Sequence, residues 1–434
     1  MALSKQPYKG ARDFYPSDKR AQKYMFGVWR EVCERFGYEE YDAPILESLE
    51  LYLAKTGEEI VNEQTYSFED RGGRQVVIRP EMTPTVSRMV AAQRQELAYP
   101  LRWYSIPNLW RYERPQRGRL REHWQLNVDI FGIADVSAEY EIITLVDAMF
   151  KAFGAQHDMY EIRLNSRQLT DSALRDYLGL NARETHDVSK LIDRMAKLSR
   201  SEFVSKIDAA ISDKARANGT VEKLLALLDV RALSKLPPQL QAHASVKELE
   251  RMLHMLGKAG IANARFDIGL MRGFDYYTDI VFEVFDTHPD NNRSMLGGGR
   301  YDGLVGLFGV QPVPTVGFGW GDVTLANFLE LHRLLPDLKP ETDLYVALAG
   351  DVFAAAQAPI NELRAAGLNV AVDLSGRKLA DQFRAADKKG VPFVLVIGEQ
   401  ELAAQQFTLK ELGTGKEQKA AIPQLIKLLK TGQP

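Results

Sequence analysis

Apolar residues recur three and four apart from Met25 to Phe36, with Val28, Trp29 and Cys33 on the same stripe. This period predicts an amphipathic first helix, with Ser17 and Asp18 as cap residues and Gly37 as its stop. Downstream the pattern shortens to strand-like runs at residues 75–79, 102–112, 124–132, 280–285 and 314–318. A helical pattern at 138–153 falls among them. Strands that follow one another without a crossover helix predict an antiparallel sheet. From about 167 to 258 the sequence is charged, with Leu and Met at helical spacing and no convincing strand, so it reads as an inserted helical module.

The pattern changes again near the C-terminus. β-rich runs at 344–348, 369–374 and 393–397 alternate with helical runs at 353–366 and 378–389, which Gly367 and Gly390 close. This β-α-β-α-β order predicts a small open parallel sheet with helices on its faces. The expected organisation is a first domain over 1–333 carrying the insertion, a proline-containing linker at 334–341, and a second domain over 342–434.

Composition adds exclusions. With 434 residues, 45% hydrophobic and 26% charged, the chain is of ordinary globular make-up. One cysteine, Cys33, excludes an internal disulfide framework and any multi-cysteine zinc site. Its place in an apolar helical stripe predicts a buried, inert thiol, which suits a reducing compartment. Residues 1–9 are short and polar, without a charged-then-apolar leader pattern, and no run approaches the roughly 20 apolar residues of a membrane span. A cytoplasmic protein with no membrane association is expected. The net charge of −3 argues against indiscriminate polyanion binding, while leaving room for a local basic loop. The seven histidines show no metal-binding helical spacing, so no zinc is expected.

The densest chemistry lies between residues 111 and 132. Two strand-like runs flank a loop with Arg114, Arg117, Arg119 and Arg121 around Gly118. Period-two alternation puts Gln125, Asn127 and Asp129 on one sheet face and Leu126, Val128 and Ile130 on the other. Arg111 and Glu113 also share a face. Such a surface offers a fixed cation for a phosphate, acceptors for an amine, and guanidiniums for a nucleic-acid backbone. Alternation alone equally describes a wet sheet face with a solvated basic turn.

The string Arg-Tyr-Glu-Arg-Pro-Gln-Arg-Gly-Arg from 111 to 119 resembles the second signature of class II aminoacyl-tRNA synthetases, in the form found in the histidyl-tRNA synthetase family. Other stretches resemble family landmarks in the same order: 9–16, 37–44 (the first class II motif), 79–84, 270–278, 297–303 and 316–321. The implied fold is α+β: an antiparallel-sheet catalytic domain with a helical insertion, followed by an α/β anticodon-binding domain. The implied activity is ATP-dependent activation of L-histidine to histidyl-adenylate and transfer to the 3′ end of tRNA(His). By the same resemblance Arg111 and Arg272 are the catalytic cations. Glu81, Thr83, Gln125, Asp129, Arg272, Tyr276 and Tyr277 surround histidine. Arg111, Glu113, Arg114, Gly319 and Gly321 hold ATP, with Mg2+ arriving on its phosphates. Gln116, Arg117, Arg119 and Arg121 meet the tRNA acceptor end, and the first motif joins a homodimer.

One position departs from the pattern. After the last glycine strand the family usually has a Glu-Arg pair, whereas this chain reads Gly321-Asp322-Val323-Thr324-Leu325. Threonine supplies no charge. Either Arg114 or Arg300 substitutes, or histidine activation is weak. A histidine-sensing regulatory subunit and a sensor of uncharged tRNA are the alternatives this departure suits. The intact 272–277 string and the C-terminal domain favour the enzyme.

Overall fold

The computed structural model describes residues 3–53, 64–116, 118–195, 198–271, 276–291 and 293–431. The chain divides into two compact units, one of Gln22–Leu335 with the residues up to Phe14, the other of Pro336–Pro434 with Tyr15–Ala21.

In the first unit, a nine-stranded sheet among the described residues runs in the order Glu39–Glu40, Leu101–Ser105, Glu122–Phe131, Thr315–Gly321, Ser294–Arg300, Ile280–Asp286, Tyr160–Ser166 and Ala264–Phe266. Asn108–Trp110 pairs additionally with Glu122–Phe131. The interior pairings are antiparallel. The two edge pairings are parallel, which makes the sheet mixed. Each edge strand is separated from its partner by a long excursion, and such a crossover is what a parallel return requires. The expected strand at 102–112 is two strands, broken at Ile106 and Pro107, because proline has no N–H to give the ladder.

One sheet face is dry. Leu126, Val128, Ile130, Phe282 and Val316 pack there against Met25, Trp29, Val32 and Cys33 of the Pro16–Arg35 helix and against the Ser137–Ala152 and Asp322–Leu331 helices. Phe150 stacks on both Tyr160 and Trp320, at 4.1 and 4.6 Å between centroids. Cys33 is fully buried, and desolvation pushes its thiol well above the usual range. The first helix starts at Pro16, ahead of both expected cap residues. Asp18 lies within its first turn and accepts from the Tyr15 amide at 3.1 Å.

The segment expected as an inserted helical module is helical but divides in two. Leu174, Val188, Ile192, Phe203, Ile207 and Leu224 form a separate small core. Two helices there carry reciprocal capping boxes, Asn181 with Glu184 and Ser199 with Glu202. The Ala244–Lys258 helix instead sends Val246, Leu249, Met252 and Leu256 into the main core. Helical spacing revealed these positions without revealing which core they join.

In the second unit, Val370–Val372, Leu344–Ala349 and Phe393–Gly398 form the expected parallel strands. Phe407–Glu411 and Glu417–Ala420 extend the sheet as an antiparallel hairpin that polar composition concealed. Asp373 is a buried hub there. It accepts from Tyr345 Oη at 2.8 Å, the Ser375 amide at 2.8 Å and Arg377 Nη2 at 3.0 Å.

An ion pair clamps the first unit. Arg300, at the end of Ser294–Arg300, donates to both Glu139 carboxylate oxygens at 2.6 and 2.7 Å, and both residues are buried. Removing one partner leaves an uncompensated buried charge. Arg300→Met is expected to destabilise the protein by about 3–5 kcal/mol, and Arg300→Met with Glu139→Leu should recover most of that. Thermal melting of these two variants and of Glu139→Leu measures it; a double-variant loss equal to the sum of the two single losses would show that the charges are not coupled.

Candidate active site

The floor of the site is the polar face of Glu122–Phe131, opposite the dry face. Its neighbour Thr315–Gly321 is in a register that sets Gly317 against Asp129 and Gly319 against Asn127. A Cβ at Gly317 would stand 2.0 Å from Asp129 Oδ1, and one at Gly319 would stand 2.9 Å from the Gln125 side chain. These glycines serve space: without them, the Asp129 carboxylate and the Gln125 amide could not lie over the next strand.

Glu81, Thr83, Arg111, Tyr276, Tyr277 and Tyr301 complete a cavity above Gln125, Asn127, Asp129, Gly297 and Gly319. The walls are held from outside. Tyr52 Oη donates to the Glu81 carbonyl at 3.2 Å, and Arg79 Nη1 donates to the Ala43 carbonyl at 2.6 Å. Arg111 Nε donates to the Pro80 carbonyl at 2.8 Å, which fixes one side of the guanidinium. Tyr276 Oη reaches Glu81 Oε2 at 3.4 Å, and its ring lies 4.8 Å from Tyr277 and 5.6 Å from Tyr301.

Tyr301 is a member of the site that sequence reasoning missed. Its hydroxyl donates to Asp129. The available signal was period two: Tyr301 stands one residue past the Ser294–Arg300 strand, where its amide still bonds the Thr315 carbonyl at 2.8 Å, so the alternation that puts Gly297 and Gly299 on one face carries on to it.

Two electrostatic features stand out. Burial pushes the Asp129 carboxyl up to about 7, partly opposed by the Tyr301 hydrogen bond. Burial, followed by the charges of Arg111, Arg12 and Arg119, pushes His123 down to about 3 and keeps it neutral. The three guanidinium charges are the lesser cause of this shift, and they form the field an anionic ligand would meet.

The hairpin after Arg111 is more braced than a solvated basic turn. Gln116 and Arg119 exchange backbone hydrogen bonds across Gly118, whose φ is +77°. Arg119 Nη1 pairs with Glu113 at 3.2 Å. Arg121, expected on the nucleic-acid side, is buried. Its guanidinium lies 3.9 Å from the Tyr112 ring centroid and donates to Tyr8 Oη at 3.1 Å and to the Glu113 carbonyl at 3.1 Å. Arg114 is exposed. Gly321 pairs with Gln125 at the strand end, outside the cavity lining. Arg272 and Arg117 lie outside the described residues. Among the described residues, no group of three or more His, Cys, Asp and Glu side chains is arranged to hold a metal ion. Among them, no helix is long and apolar enough to cross a membrane.

Residues 10–321 match the family described as histidyl-tRNA synthetase, and residues 343–432 match an anticodon binding domain. A histidine–tRNA ligase of Leptospira biflexa is 44% identical over 414 residues, 95% of this chain and 94% of that one. The chain belongs to the histidyl-tRNA synthetase family. A histidine–tRNA ligase of Thermoplasma volcanium is 36% identical over 423 residues, 97% of each chain. The crystal structure of a histidyl-tRNA synthetase from Nostoc sp. PCC 7120 shares the fold, with a TM-score of 0.81 at 23% identity over 99% of this chain and 100% of that one.

For a histidyl-tRNA synthetase, Thr324 is the position of interest. Its one hydroxyl proton is shared between the Met295 carbonyl at 2.8 Å and the Gly321 carbonyl at 2.9 Å. Arg300, one candidate to replace the usual arginine, is committed to Glu139 and to the carbonyls of Ile133 and Asp135. It is not positioned to meet a ligand.

The raised Asp129 carboxyl fixes a pH dependence. The folded state holds this proton more tightly than the unfolded chain, so stability falls as pH rises between about 4 and 7. Asp129→Asn lacks that loss. Its melting temperature relative to the unaltered protein, without ligand, should therefore rise from pH 5 to pH 8. A constant difference across that range would show that Asp129 is not a protonated buried acid.

Proposed function

We propose that the protein is a histidine–tRNA ligase, activating L-histidine with ATP and transferring it to the 3′ end of tRNA(His). The observation that carries this reading is the meeting of Arg111, Glu81, Gln125 and Asp129 in one cavity of a chain from this family. In the first step a histidine carboxylate oxygen attacks the α-phosphorus of ATP and pyrophosphate leaves. Attack on a phosphorus ringed by negative oxygens is opposed by charge. Arg111 offsets that repulsion at the α-phosphate, and Arg272 is assigned the space between the carboxylate and the same phosphate.

Glu81, Thr83, Gln125 and Asp129 receive the histidine amine, and Tyr276 and Tyr277 line the imidazole. An ionised Asp129 attracts the ammonium, and bound histidine in turn favours the ionised form. Glu113 and Arg114 flank ATP together with the backbone at Gly319 and Gly321. Magnesium enters as part of the MgATP substrate. In the second step the terminal ribose hydroxyl of tRNA attacks the adenylate carbonyl, and AMP leaves. Gln116, Arg117 and Arg119 guide the acceptor end, while Arg121 supports that loop from beneath.

We further assign residues 1–333 to catalysis and 342–434 to anticodon binding, with 334–341 as the linker. A homodimer through residues 37–44 and a cytoplasmic location complete the reading. A substrate with a polar ring suits a site with buried polar walls, because analogues that leave those groups unpaired lose about ten-thousandfold or more.

Purified protein is expected to exchange pyrophosphate into ATP only when histidine is added. No exchange at millimolar ATP would remove the enzyme reading. Arg111→Ala and Arg272→Ala should each lower turnover by about a hundredfold or more with a smaller change in histidine KM. Loss confined to KM would assign these arginines to ground-state binding instead.

A further inference from the structure

We propose that Arg12 is a positioning residue for ATP binding, tethering the 8–14 arm to Asp322 so that the two segments assigned to ATP keep their spacing; the inference rests on the reading given above. Residues 9–16 resemble a family landmark, and none of the catalytic roles above falls on them. This arm lies against the base of the arginine hairpin. The Gly10 carbonyl accepts from the Arg121 and Glu122 amides at 2.9 and 3.1 Å, and the Arg121 carbonyl accepts in turn from the Arg111 amide at 2.8 Å. The backbones of Gly10, Arg121 and Arg111 are thus linked in series by hydrogen bonds. A Cβ at Gly10, whose φ is +88°, would stand 2.7 Å from Arg121 Cγ, so glycine is what lets the arm come this close. Tyr8 adds a hydroxyl that accepts from Arg121 Nη1 at 3.1 Å.

Two residues on, the arm reaches the second ATP segment. Arg12 Nη2 donates to Asp322 Oδ2 at 2.7 Å, and Asp322 follows Gly321 as the first residue of the Asp322–Leu331 helix. Asp322 Oδ1 accepts from the Trp124 amide at 3.0 Å, one step beyond the pairing of Gly321 with Gln125. Phe14 then meets Trp124 edge to face, at 5.2 Å between centroids. Asp322 is buried, and a carboxylate in that position needs a charge partner, which Arg12 supplies. Burial pushes the Asp322 carboxyl up, and the Arg12 charge is the largest effect opposing it. One short arm therefore bonds to the hairpin that carries Arg111 and Glu113 and to the residue after Gly321. ATP must be met by both segments at once, and a shift of about 1 Å between them weakens every contact that depends on their spacing.

Histidine-dependent ATP–pyrophosphate exchange tests this with the full-length protein and its Arg12→Met, Asp322→Asn and Arg12→Met/Asp322→Asn variants. Arg12→Met should raise ATP KM by about ten- to a hundredfold, the cost of misplacing binding groups by about 1 Å, with histidine KM unchanged. A brace that served folding alone would lower the melting temperature and the folded fraction, and would leave the ATP KM of the folded enzyme where it was. Asp322→Asn should match the Arg12→Met loss, and the double variant should lose no more than either single, because both changes cut the same tether. A normal ATP KM in Arg12→Met overturns the proposal. So does a double variant in which the two losses multiply, since Arg12 would then act on ATP without Asp322. If Arg12→Met does not fold, the near-isosteric Asp322→Asn carries the test, and a normal ATP KM there overturns the proposal. Exchange in the unaltered protein with normal variants defeats this inference alone. No exchange in the unaltered protein defeats the ligase reading and this inference with it.

Discussion

The site depends on a steric allowance between two strands. Asp129 and Gln125 occupy volume that side chains at 317 and 319 would fill. Everything else follows from that exchange of bulk for polarity. The carboxylate is buried because it lies over the neighbouring backbone, and burial raises its proton affinity. Tyr301 then becomes necessary as a donor. The strand that brings Tyr301 is in turn anchored by Arg300 to the Ser137–Ala152 helix. A chain of constraint thus runs from a missing Cβ to an ion pair on the far side of the sheet.

The sequence was informative where period and chemistry agree. Alternation from Leu126 to Ile130 placed the dry and polar faces of the central strand, and the polar face is the floor of the cavity. It was less informative where a residue's role depends on what approaches from another strand. Tyr301 follows a glycine-rich run that carries little pattern, and its partner is 172 positions away. Arg121 looked like one more loop cation, and its burial depends on Tyr8 and Tyr112 closing around it. The edge strands at Glu39–Glu40 and Ala264–Phe266 are too short to show any period. The hairpin at Phe407–Ala420 is too polar to declare itself.

Charge on the hairpin is organised rather than merely abundant. Arg119 with Glu113 and Arg121 with Tyr112 fix the loop's lower part, while Arg114 stays exposed. A basic loop whose cations are partly committed internally keeps its shape before any polyanion arrives, which limits the entropy lost on ordering it. Net charge conceals this arrangement, because −3 over the whole chain averages a local positive field with an acidic remainder.

Cys33 has a practical consequence beyond the fold. The only thiol in the sequence is sealed on the buried face of the first helix, with its ionisation suppressed by burial. Maleimide and disulfide reagents attack thiolates, and this side chain offers them neither access nor charge. A single cysteine introduced on the surface would therefore be the sole reactive handle. Dyes or spin labels for distance measurements could be attached there without first stripping a native cysteine from the core.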